Sequence, residues 1–261
     1  MLPSLFIAHG APLLAIENNE YTQFLNQLGR TLPRPKAIVL FSAHWESNMQ
    51  QVSSVEDYRT IYDFGGFPEA LYKIEYPAKG NHDITKEITE LFTSQGVSYE
   101  VDASRGLDHG AWVVLRMLYP NADIPVISMS VNPNLSPAEQ YQIGKSLADL
   151  RKKDVLIIAS GGTVHNLRAL NWDKDRTGGI DDWALAFDEW LARHLKNWDI
   201  ESLFNYQSLA PTANLAVPPY GTEHFIPIFY ALGAADNGKK AELLHRSYRY
   251  GSLSHSVWQF N

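Results

Sequence analysis

The chain has 261 residues and a formal net charge of −7, with charged residues of both signs interspersed. The acidic balance argues against nucleic acid or an anionic membrane as the main partner, and no apolar run reaches the about 20 residues that span a bilayer. Cysteine is absent, so a disulfide framework is excluded and any transition metal must be held by histidine and carboxylate side chains.

The composition also predicts one domain in a cytoplasmic location. The sequence contains no linker rich in Pro, Gly or Ser, no low-complexity tract and no repeat of fixed period. Its first residues lack the basic segment of a signal peptide, and the absence of cysteine favours a reducing compartment. The length suits one large α/β domain.

Apolar runs rich in β-branched residues predict the strands of a central sheet. The runs at 37–43 and 154–160 are almost continuously apolar, which is typical of strands that are buried on both faces. The predicted strands cover residues 2–8, 37–43, 50–56, 99–102, 124–131, 154–160, 247–250 and 253–260.

Helical spacing of apolar residues predicts helices between these strands. Ser136, Pro137 and Glu139 form an N-terminal capping signature, and Gly96 suits a C-terminal cap. The predicted helices cover residues 20–32, 83–95, 111–118, 137–152, 180–196 and 226–232. Because strands alternate with helices, we predict an α/β fold with a mostly parallel or mixed central sheet and helices on both faces.

Two segments, 57–80 and 211–222, are predicted to be irregular. The first contains an aromatic loop with a glycine pair at 63–68 (DFGGFP), followed by Tyr72. A long loop of this kind is either the wall or lid of a pocket or a surface loop fixed by its aromatic side chains. The residues alone leave both interpretations open.

Three predicted strands deliver a histidine at or shortly after their carboxyl ends, namely His9, His44 and His165. In open α/β sheets, ligands bind just outside the carboxyl ends of strands. Packing alone does not readily explain three histidines at one edge, so we predict a site there. His109 and His224, which adjoin a glycine or precede a buried helix, are further candidates.

The remaining four of the nine histidines carry weaker signals. His82, His194 and His245 lie in polar or helix-surface contexts and are predicted to be solvated. His255, in the last predicted strand, is ambiguous.

Histidines brought together by a fold suggest a metal site, because neutral imidazole is the most common protein metal ligand. Three protein ligands with positions left open are typical of a catalytic metal. Two histidines with Glu223 would be the usual set for non-haem Fe(II), whereas three histidines are more typical of zinc. The residue types alone do not decide between Glu223 and His224.

A serine nucleophile is the other catalytic possibility. Ser42 and Ser160 both follow predicted strands, but neither fits the G-x-S-x-G pattern of a nucleophile elbow. The glycine pair 161–162 could cradle a phosphate, although a lone glycine pair is not specific for one.

Several short motifs occur in a characteristic order along almost the whole chain. They are His9-Gly10-Ala11-Pro12, Ser42-Ala43-His44-Trp45, Asp63-Phe64-Gly65-Gly66-Phe67-Pro68, Asp108-His109-Gly110, Ser160-Gly161, Val164-His165-Asn166-Leu167-Arg168 and Glu223-His224. In content and order these motifs resemble the class III (LigB-type) extradiol ring-cleavage dioxygenases, and within them the DOPA 4,5-dioxygenase branch. The resemblance implies a single extradiol dioxygenase domain over residues 1–261.

The resemblance also implies a metal at one edge of the central sheet, with His9, His44 and His224 as its ligands. In the wider superfamily the third ligand is a glutamate, but in this branch it is a histidine, which favours His224 over Glu223.

Further roles follow from the same resemblance. His165 would be the catalytic acid/base, close to the metal but not bound to it, with a pKa near the working pH. His109 would lie near the substrate, and Phe64 and Tyr72 would shape the pocket for the aromatic ring.

The implied activity is Fe(II)-dependent extradiol cleavage of a catechol such as DOPA, which inserts O2 to give a muconic semialdehyde. We expect Fe(II) in the active enzyme and Zn(II) in the protein as purified, because Zn(II) outcompetes Fe(II) for nitrogen and oxygen ligands. The expected partners are a small aromatic diol and O2, and the expected state is a monomer or homodimer. The alternatives are a zinc-dependent hydrolase on the same three histidines and a non-catalytic binding protein on this scaffold.

Overall fold

The structure of the protein is a computed structural model that describes residues 1–261. Its strands are β1 Ser4–Ala8, β2 Ala37–Glu46, β3 Gln50–Ser53, β4 Tyr99–Asp102, β5 Val126–Val131, β6 Val155–Gly161, β7 Ala241–Arg249 and β8 Leu253–Phe260. All eight belong to one sheet, in the order β4-β3-β5-β2-β6-β1-β8-β7.

Ten α-helices and four short 3-10 helices connect the strands. The α-helices are α1 Glu20–Thr31, α2 His82–Gln95, α3 His109–Leu118, α4 Pro137–Ser146, α5 Trp172–Thr177, α6 Asp182–Lys196, α7 Ile200–Phe204, α8 Tyr206–Leu209, α9 Ala213–Ala216 and α10 Pro227–Ala234. The 3-10 helices are Pro12–Ala15, Glu69–Lys73, Ala148–Lys153 and Leu167–Ala169. No helix combines the length and the apolar character that crossing a membrane requires.

The four central strands of the sheet are parallel, and the strand on each side of them runs antiparallel to its central neighbour. Strands β5, β2, β6 and β1 pair in parallel, whereas β3 runs antiparallel to β5 and β8 runs antiparallel to β1. In this register Ala8 of β1 lies beside Gly161 of β6, and Ser42 of β2 lies beside Ser160. The carboxyl ends of the central strands therefore meet at one edge of the sheet.

Both faces of the sheet are covered by helices, because the central strands are apolar on both sides. In β2, Val39 and Phe41 belong to the same buried cluster as residues of α2, α4, α6 and α10, whereas Ile38 and Leu40 belong to a second cluster with residues of α1 and α3. Buried parallel strands require such continuous apolar runs. The predicted α/β fold with a mixed sheet and helices on both faces is confirmed.

Element boundaries differ from the prediction where pairing extends beyond the apolar run. Strand β2 continues through His44 to Glu46, which pairs with Val131 of β5 after a register shift. Strand β7 begins at Ala241, six residues earlier than predicted, since it is a half-buried edge strand that pairs only with β8. Polar residues along such an edge obscure the hydrophobic period.

The histidines predicted to be solvated divide into two kinds. His82 is exposed. His194 is only 19% exposed at its side chain and contacts Asp199, and His245 stacks on Phe24. His194 and His245 are therefore only partly solvated, because neighbours that are distant in sequence or lie across a turn cover one side of each ring.

A buried arginine, Arg151, forms hydrogen bonds at the edge of the sheet where the central strands begin. Arg151 is 1% exposed and donates hydrogen bonds to the carbonyl oxygens of Leu2 (2.7 Å), Ala234 (2.8 Å) and Phe260 (3.3 Å). These three carbonyls belong to the start of the chain, the end of α10 and the end of β8. Arg151 thus joins three elements at the edge opposite the histidines.

Candidate metal centre and active site

Five histidines come together at the carboxyl ends of the central strands. His9 directly follows β1, His44 lies near the end of β2, His109 begins α3, His165 follows β6, and His224 precedes α10. Within this cluster, the imidazole centroids of His9, His44 and His224 are 4.7 to 5.1 Å apart. One ring nitrogen from each of these three residues lies within 4.8 Å of the other two.

The glycine at 161 allows the His224 segment to approach β6. A Cβ atom at Gly161 would lie 2.1 Å from the carbonyl oxygen of His224, so any larger residue would push this segment away. The next amide, of Gly162, donates a hydrogen bond of 2.7 Å to the same oxygen. The glycine pair therefore positions His224 and does not form the phosphate cradle considered from the sequence.

The orientation of His9 is fixed by a chain of hydrogen bonds through Ser160. The Ser160 hydroxyl donates to the carbonyl oxygen of Gly110 at 2.5 Å, so its oxygen is available to accept from Nδ1 of His9 at 3.0 Å. This arrangement assigns the proton of His9 to Nδ1 and leaves the Nε2 lone pair free. Ser160 is completely buried, so it supports His9 and is not exposed as a nucleophile.

His224 is oriented in the same way by the residue before it. Its Nδ1 lies 2.9 Å from Oε1 of Glu223, and a carboxylate can only accept at this contact. The proton of His224 therefore lies on Nδ1, and its Nε2 lone pair is free. Glu223 sits behind the His224 ring and is not part of the group of three converging nitrogens.

The three imidazoles fit a divalent transition metal. Nε2 of His9 and Nε2 of His44 are 3.0 Å apart, close to the separation of about 3 Å expected for two nitrogens that each bind a metal at about 2.0–2.1 Å. A hydrogen-bond acceptor behind a metal-binding imidazole, most often a carboxylate, a backbone carbonyl or water, is the usual supporting partner, and Glu223 and Ser160 take that place here. The donor set and its supports are therefore those of a metal centre.

Burial keeps these imidazoles neutral, which is the form that binds metals. The pKa values of His9 and His224 lie well below the usual histidine value, chiefly because of burial and then because of the neighbouring His44. Burial, followed by the proximity of His109, lowers the pKa of His44 to about 4, although nearby carboxylates oppose the shift.

Asp63, in the aromatic loop, contacts two of the five histidines. Its Oδ1 accepts a hydrogen bond from the backbone amide of His109 at 2.9 Å and lies 2.9 Å from Nδ1 of the same residue. Its Oδ2 lies 3.8 Å from Nδ1 of His44. Burial alone would raise the pKa of Asp63, but the hydrogen bonds and charge of His109, aided by His44, outweigh burial and lower it to about 2.

Aromatic side chains of the loop extend from the histidines toward solvent. Phe64 lies edge-on to His109, with ring centroids 5.8 Å apart, and Tyr72 lies 5.2 Å from Phe64. Trp112 of α3 lies 6.3 Å from Phe64 on the inner side. The structure therefore places Phe64 next to the histidine group and Tyr72 one ring farther out.

His165 stacks on His224, with ring centroids 3.6 Å apart and an angle of 4° between the planes. Its backbone amide donates to the carbonyl oxygen of Ala216, which fixes the turn after β6. Burial and the proximity of His224 hold the pKa of His165 well below the usual histidine value, not near the working pH as expected. The cause is the packing of several imidazoles in one buried group, which the sequence does not reveal.

A buried polar network supports the group from the side of α3. Asp108 is fully buried, and its carboxylate accepts from Ser42 (2.6 Å) and Arg105 (3.1 Å). Arg105 in turn donates to the carbonyl oxygen of His44 at 3.0 Å. A Cβ atom at Gly110 would lie 2.8 Å from Oγ of Ser42 and 2.9 Å from Cδ2 of His44, so only glycine leaves room for both.

Sequence reasoning missed most of these supporting residues. Asp63 and Asp108 were visible only as members of motifs, Glu223 was considered as a metal ligand, and Ser160 was considered as a nucleophile. Adjacency to a candidate histidine was the one available signal for Asp108 and Glu223. Nothing in the spacing connects Asp63 to His44 or Ser160 to His9.

Comparison with known proteins shows one family match over almost the whole chain and relatives of similar length. Residues 3–261 match the family described as the catalytic LigB subunit of aromatic ring-opening dioxygenase. The 4,5-DOPA dioxygenase extradiol of Beta vulgaris is 40% identical over 261 residues, which cover 98% of this chain and 96% of that protein. The protein of the same name from Escherichia coli (strain K12) is 38% identical, with 97% of this chain and 92% of that protein covered. The crystal structure of an uncharacterized protein of Escherichia coli K12 matches with a TM-score of 0.85 and 34% identity over 100% of both chains.

Proposed function

This chain belongs to the LigB family and is an extradiol dioxygenase, and we propose that it uses Fe(II) to cleave the ring of a catechol such as DOPA. The reaction breaks the ring C–C bond beside the two hydroxyl carbons. Both atoms of one O2 molecule enter the product, a muconic semialdehyde. The names of its full-length relatives support DOPA as the substrate.

The observation that carries the proposal is the convergence of three buried imidazoles, two of which, His9 and His224, have the proton on the outer ring nitrogen. His9, His44 and His224 would hold the metal, because their nitrogens lie within 4.8 Å of one another. Three protein ligands leave positions for other molecules on a six-coordinate ion. A bound Fe(II) ion would supply the redox chemistry for reaction with O2 and would make the catechol hydroxyls more acidic.

His165 is proposed as the general base and acid. It stacks on His224 without belonging to the group of converging nitrogens, so it would lie beside the substrate hydroxyls while remaining free to carry a proton. Burial and then His224 lower its pKa and keep the ring neutral, so its lone pair can accept a proton from a catechol hydroxyl, although the lowered pKa makes it a weaker base than a free histidine. The same nitrogen would later return that proton to the ring-opened product.

His109, Phe64 and Tyr72 are proposed to bind the aromatic part of the substrate. His109 lies 4.0 Å from His44 between ring centroids, so it borders the metal ligands on the side of the loop. Phe64 and Tyr72 extend this aromatic surface outward. Offset or edge-on contacts with such rings would orient a catechol and exclude water from it.

Oxygen uptake tests the proposal. Metal-free protein would be reloaded anaerobically with either Fe(II) or Zn(II), mixed with L-DOPA or another catechol, and exposed to O2. We expect one O2 consumed per catechol and a yellow product with Fe(II) only. The variant His165→Ala should keep its metal and lose activity, whereas His82→Ala, at an exposed histidine, should behave as the wild type.

Two results would contradict the proposal. One is the absence of O2 uptake with every catechol despite confirmed Fe(II) occupancy. The other is equal activity of the Zn(II) and Fe(II) forms, because Zn(II) has no redox chemistry.

A further inference from the structure

The three imidazoles that would bind the metal each need a proton acceptor behind the ring. Binding through Nε2 requires the proton on Nδ1. Ser160 accepts from His9, and Glu223 accepts from His224. His44 has no such hydrogen bond from Nδ1: the one contact that the structure records for this nitrogen is with Asp63, at 3.8 Å.

The carboxylate of Asp63 lies on the Nδ1 side of His44, with its Oδ2 3.8 Å from that nitrogen. This separation is longer than a hydrogen bond, but it places a carboxylate opposite the nitrogen that must carry the proton. The other oxygen of Asp63 accepts a hydrogen bond of 2.9 Å from the backbone amide of His109 and lies 2.9 Å from Nδ1 of the same residue. The carboxylate is thus held in place on one side and faces His44 on the other.

We propose that Asp63 is a positioning residue that sets the tautomer of His44 for metal binding and, through the same carboxylate, the orientation of His109. Asp63 touches no reacting atom, so its effect passes through the two histidines. This inference rests on the three-histidine metal centre of the proposed function. It also connects the aromatic loop to the metal, because Asp63 directly precedes Phe64.

The chemistry of a carboxylate makes this role specific. Both oxygens of Asp63 accept, so the side chain can serve the His109 amide and Nδ1–H of His44 together. An asparagine has one acceptor and one donor group. With its oxygen toward His109, its NH2 group would face Nδ1 of His44 and favour the tautomer whose Nε2 carries the proton and cannot bind metal.

The test compares metal affinity in three variants by anaerobic titration of the metal-free protein with Co(II) and Zn(II). Asp63→Asn should weaken metal binding about 10- to 100-fold, the usual effect of losing a partner behind a ligand. Asp63→Glu should recover part of the affinity. Glu69→Gln is the matched control, since it makes the same chemical change in a nearby side chain that is 81% exposed and pairs with Lys73, and it should bind metal as the wild type does.

A second measurement separates tautomer control from simple support of the loop. In the Zn(II)-loaded wild type, 15N NMR should show a hydrogen-bonded proton on Nδ1 of His44. In Asp63→Asn the His44 signals should change, while those of His9 and His224 stay in place. If Asp63 only supported the loop, its variant would raise KM for the catechol and leave metal affinity and the His44 signals unaltered.

Each failure has a distinct meaning. Wild-type protein that binds no metal would contradict the proposed function itself. Wild-type binding that is matched by Asp63→Asn would overturn only the role of Asp63. If Asp63→Asn does not fold, the wild-type spectrum still decides, because an Nδ1 proton of His44 that exchanges freely with water would contradict the proposal.

Discussion

The two ends of the central parallel strands differ in whether their buried polar groups have hydrogen-bond partners within the protein. At the amino end, Arg151 is buried and each of its three nitrogens donates to a backbone carbonyl. At the carboxyl end, His9, His44 and His224 direct ring nitrogens toward one another, and no other side chain of the protein completes the group. Buried polar groups are normally satisfied within the protein. The amino end follows that rule and stabilises the fold, whereas the carboxyl end is arranged for a cation that the chain itself does not provide.

The largest expected effect comes from removing a ligand at the carboxyl end. His224→Ala should abolish metal binding at the centre and lower kcat by about 1000-fold or more, since the metal contributes several kcal/mol to transition-state stabilisation. Metal content and O2 uptake of the purified variant measure the effect. His82→Ala, at an exposed histidine, is the control. Normal metal content in His224→Ala would contradict the assignment.

A substitution at the amino end should lower the stability of the fold and leave metal binding and activity unchanged. Arg151→Met leaves three carbonyl oxygens without their donor, and we expect the free energy of unfolding to fall by about 3 kcal/mol. Arg34→Met is the control, because Arg34 forms an exposed ion pair with Asp123 that should contribute less than about 1 kcal/mol. Urea unfolding measures both. If folded Arg151→Met protein lost its metal affinity, the two ends would not be independent.

Removing a support behind a ligand should give an intermediate effect. Ser160→Ala deletes the acceptor of His9 Nδ1 and should weaken metal binding about 10- to 100-fold. Ser128→Ala provides a matched control, since Ser128 is a buried strand serine whose hydroxyl has no hydrogen-bond partner. Metal titration would reveal the difference, and equal affinities of the two variants would show that the contact to Ser160 is dispensable.

The smallest effect concerns His255, a buried histidine at the carboxyl end that stacks on Tyr21. Burial and then the charge of Arg249 lower its pKa from 6.5 to about 3. Below pH 6.5, His255 binds a proton in the unfolded chain but stays neutral in the folded protein, so the free energy of unfolding decreases as the pH falls toward 3. Between pH 6.5 and 5.5 this histidine should contribute a loss of about 1 kcal/mol.

His255→Phe keeps an aromatic ring on Tyr21 and removes the titrating group. Urea unfolding of metal-free protein at pH 6.5 and pH 5.5 should therefore show a shallower pH dependence in the variant than in the wild type. If the free energy of unfolding changed equally with pH in both proteins, His255 would take up protons in the folded protein as it does in the unfolded chain.

The fold was predictable where continuous apolar runs in the sequence indicate buried strands. The apolar runs of β2 and β6 indicated strands buried on both faces, and histidines at their ends indicated the edge where a site forms. Helices α5, α7, α8 and α9 were not predicted, because elements of four to six residues are too short to show a period. Strand β7 began earlier than predicted because one-sided pairing tolerates polar residues.

The site was predictable in its histidines and much less in their supports. His9, His44 and His165 follow from strand ends, whereas the choice of His224 over Glu223 came from family resemblance. The partners of the outer ring nitrogens depend on tertiary contacts between residues as far apart as His9 and Ser160, which no local pattern encodes. The lowered pKa of His165 has the same origin, because it arises from imidazoles that the fold packs against one another.

The most direct test of the metal centre is an anaerobic titration of the metal-free protein with Fe(II), repeated for single alanine variants. We expect one Fe(II) per wild-type chain, loss of this binding in the variants of His9, His44 and His224, and retention in His165→Ala. Retained binding in any of the three ligand variants, or loss of binding in His165→Ala, would contradict the assignment of three ligands and a separate acid/base.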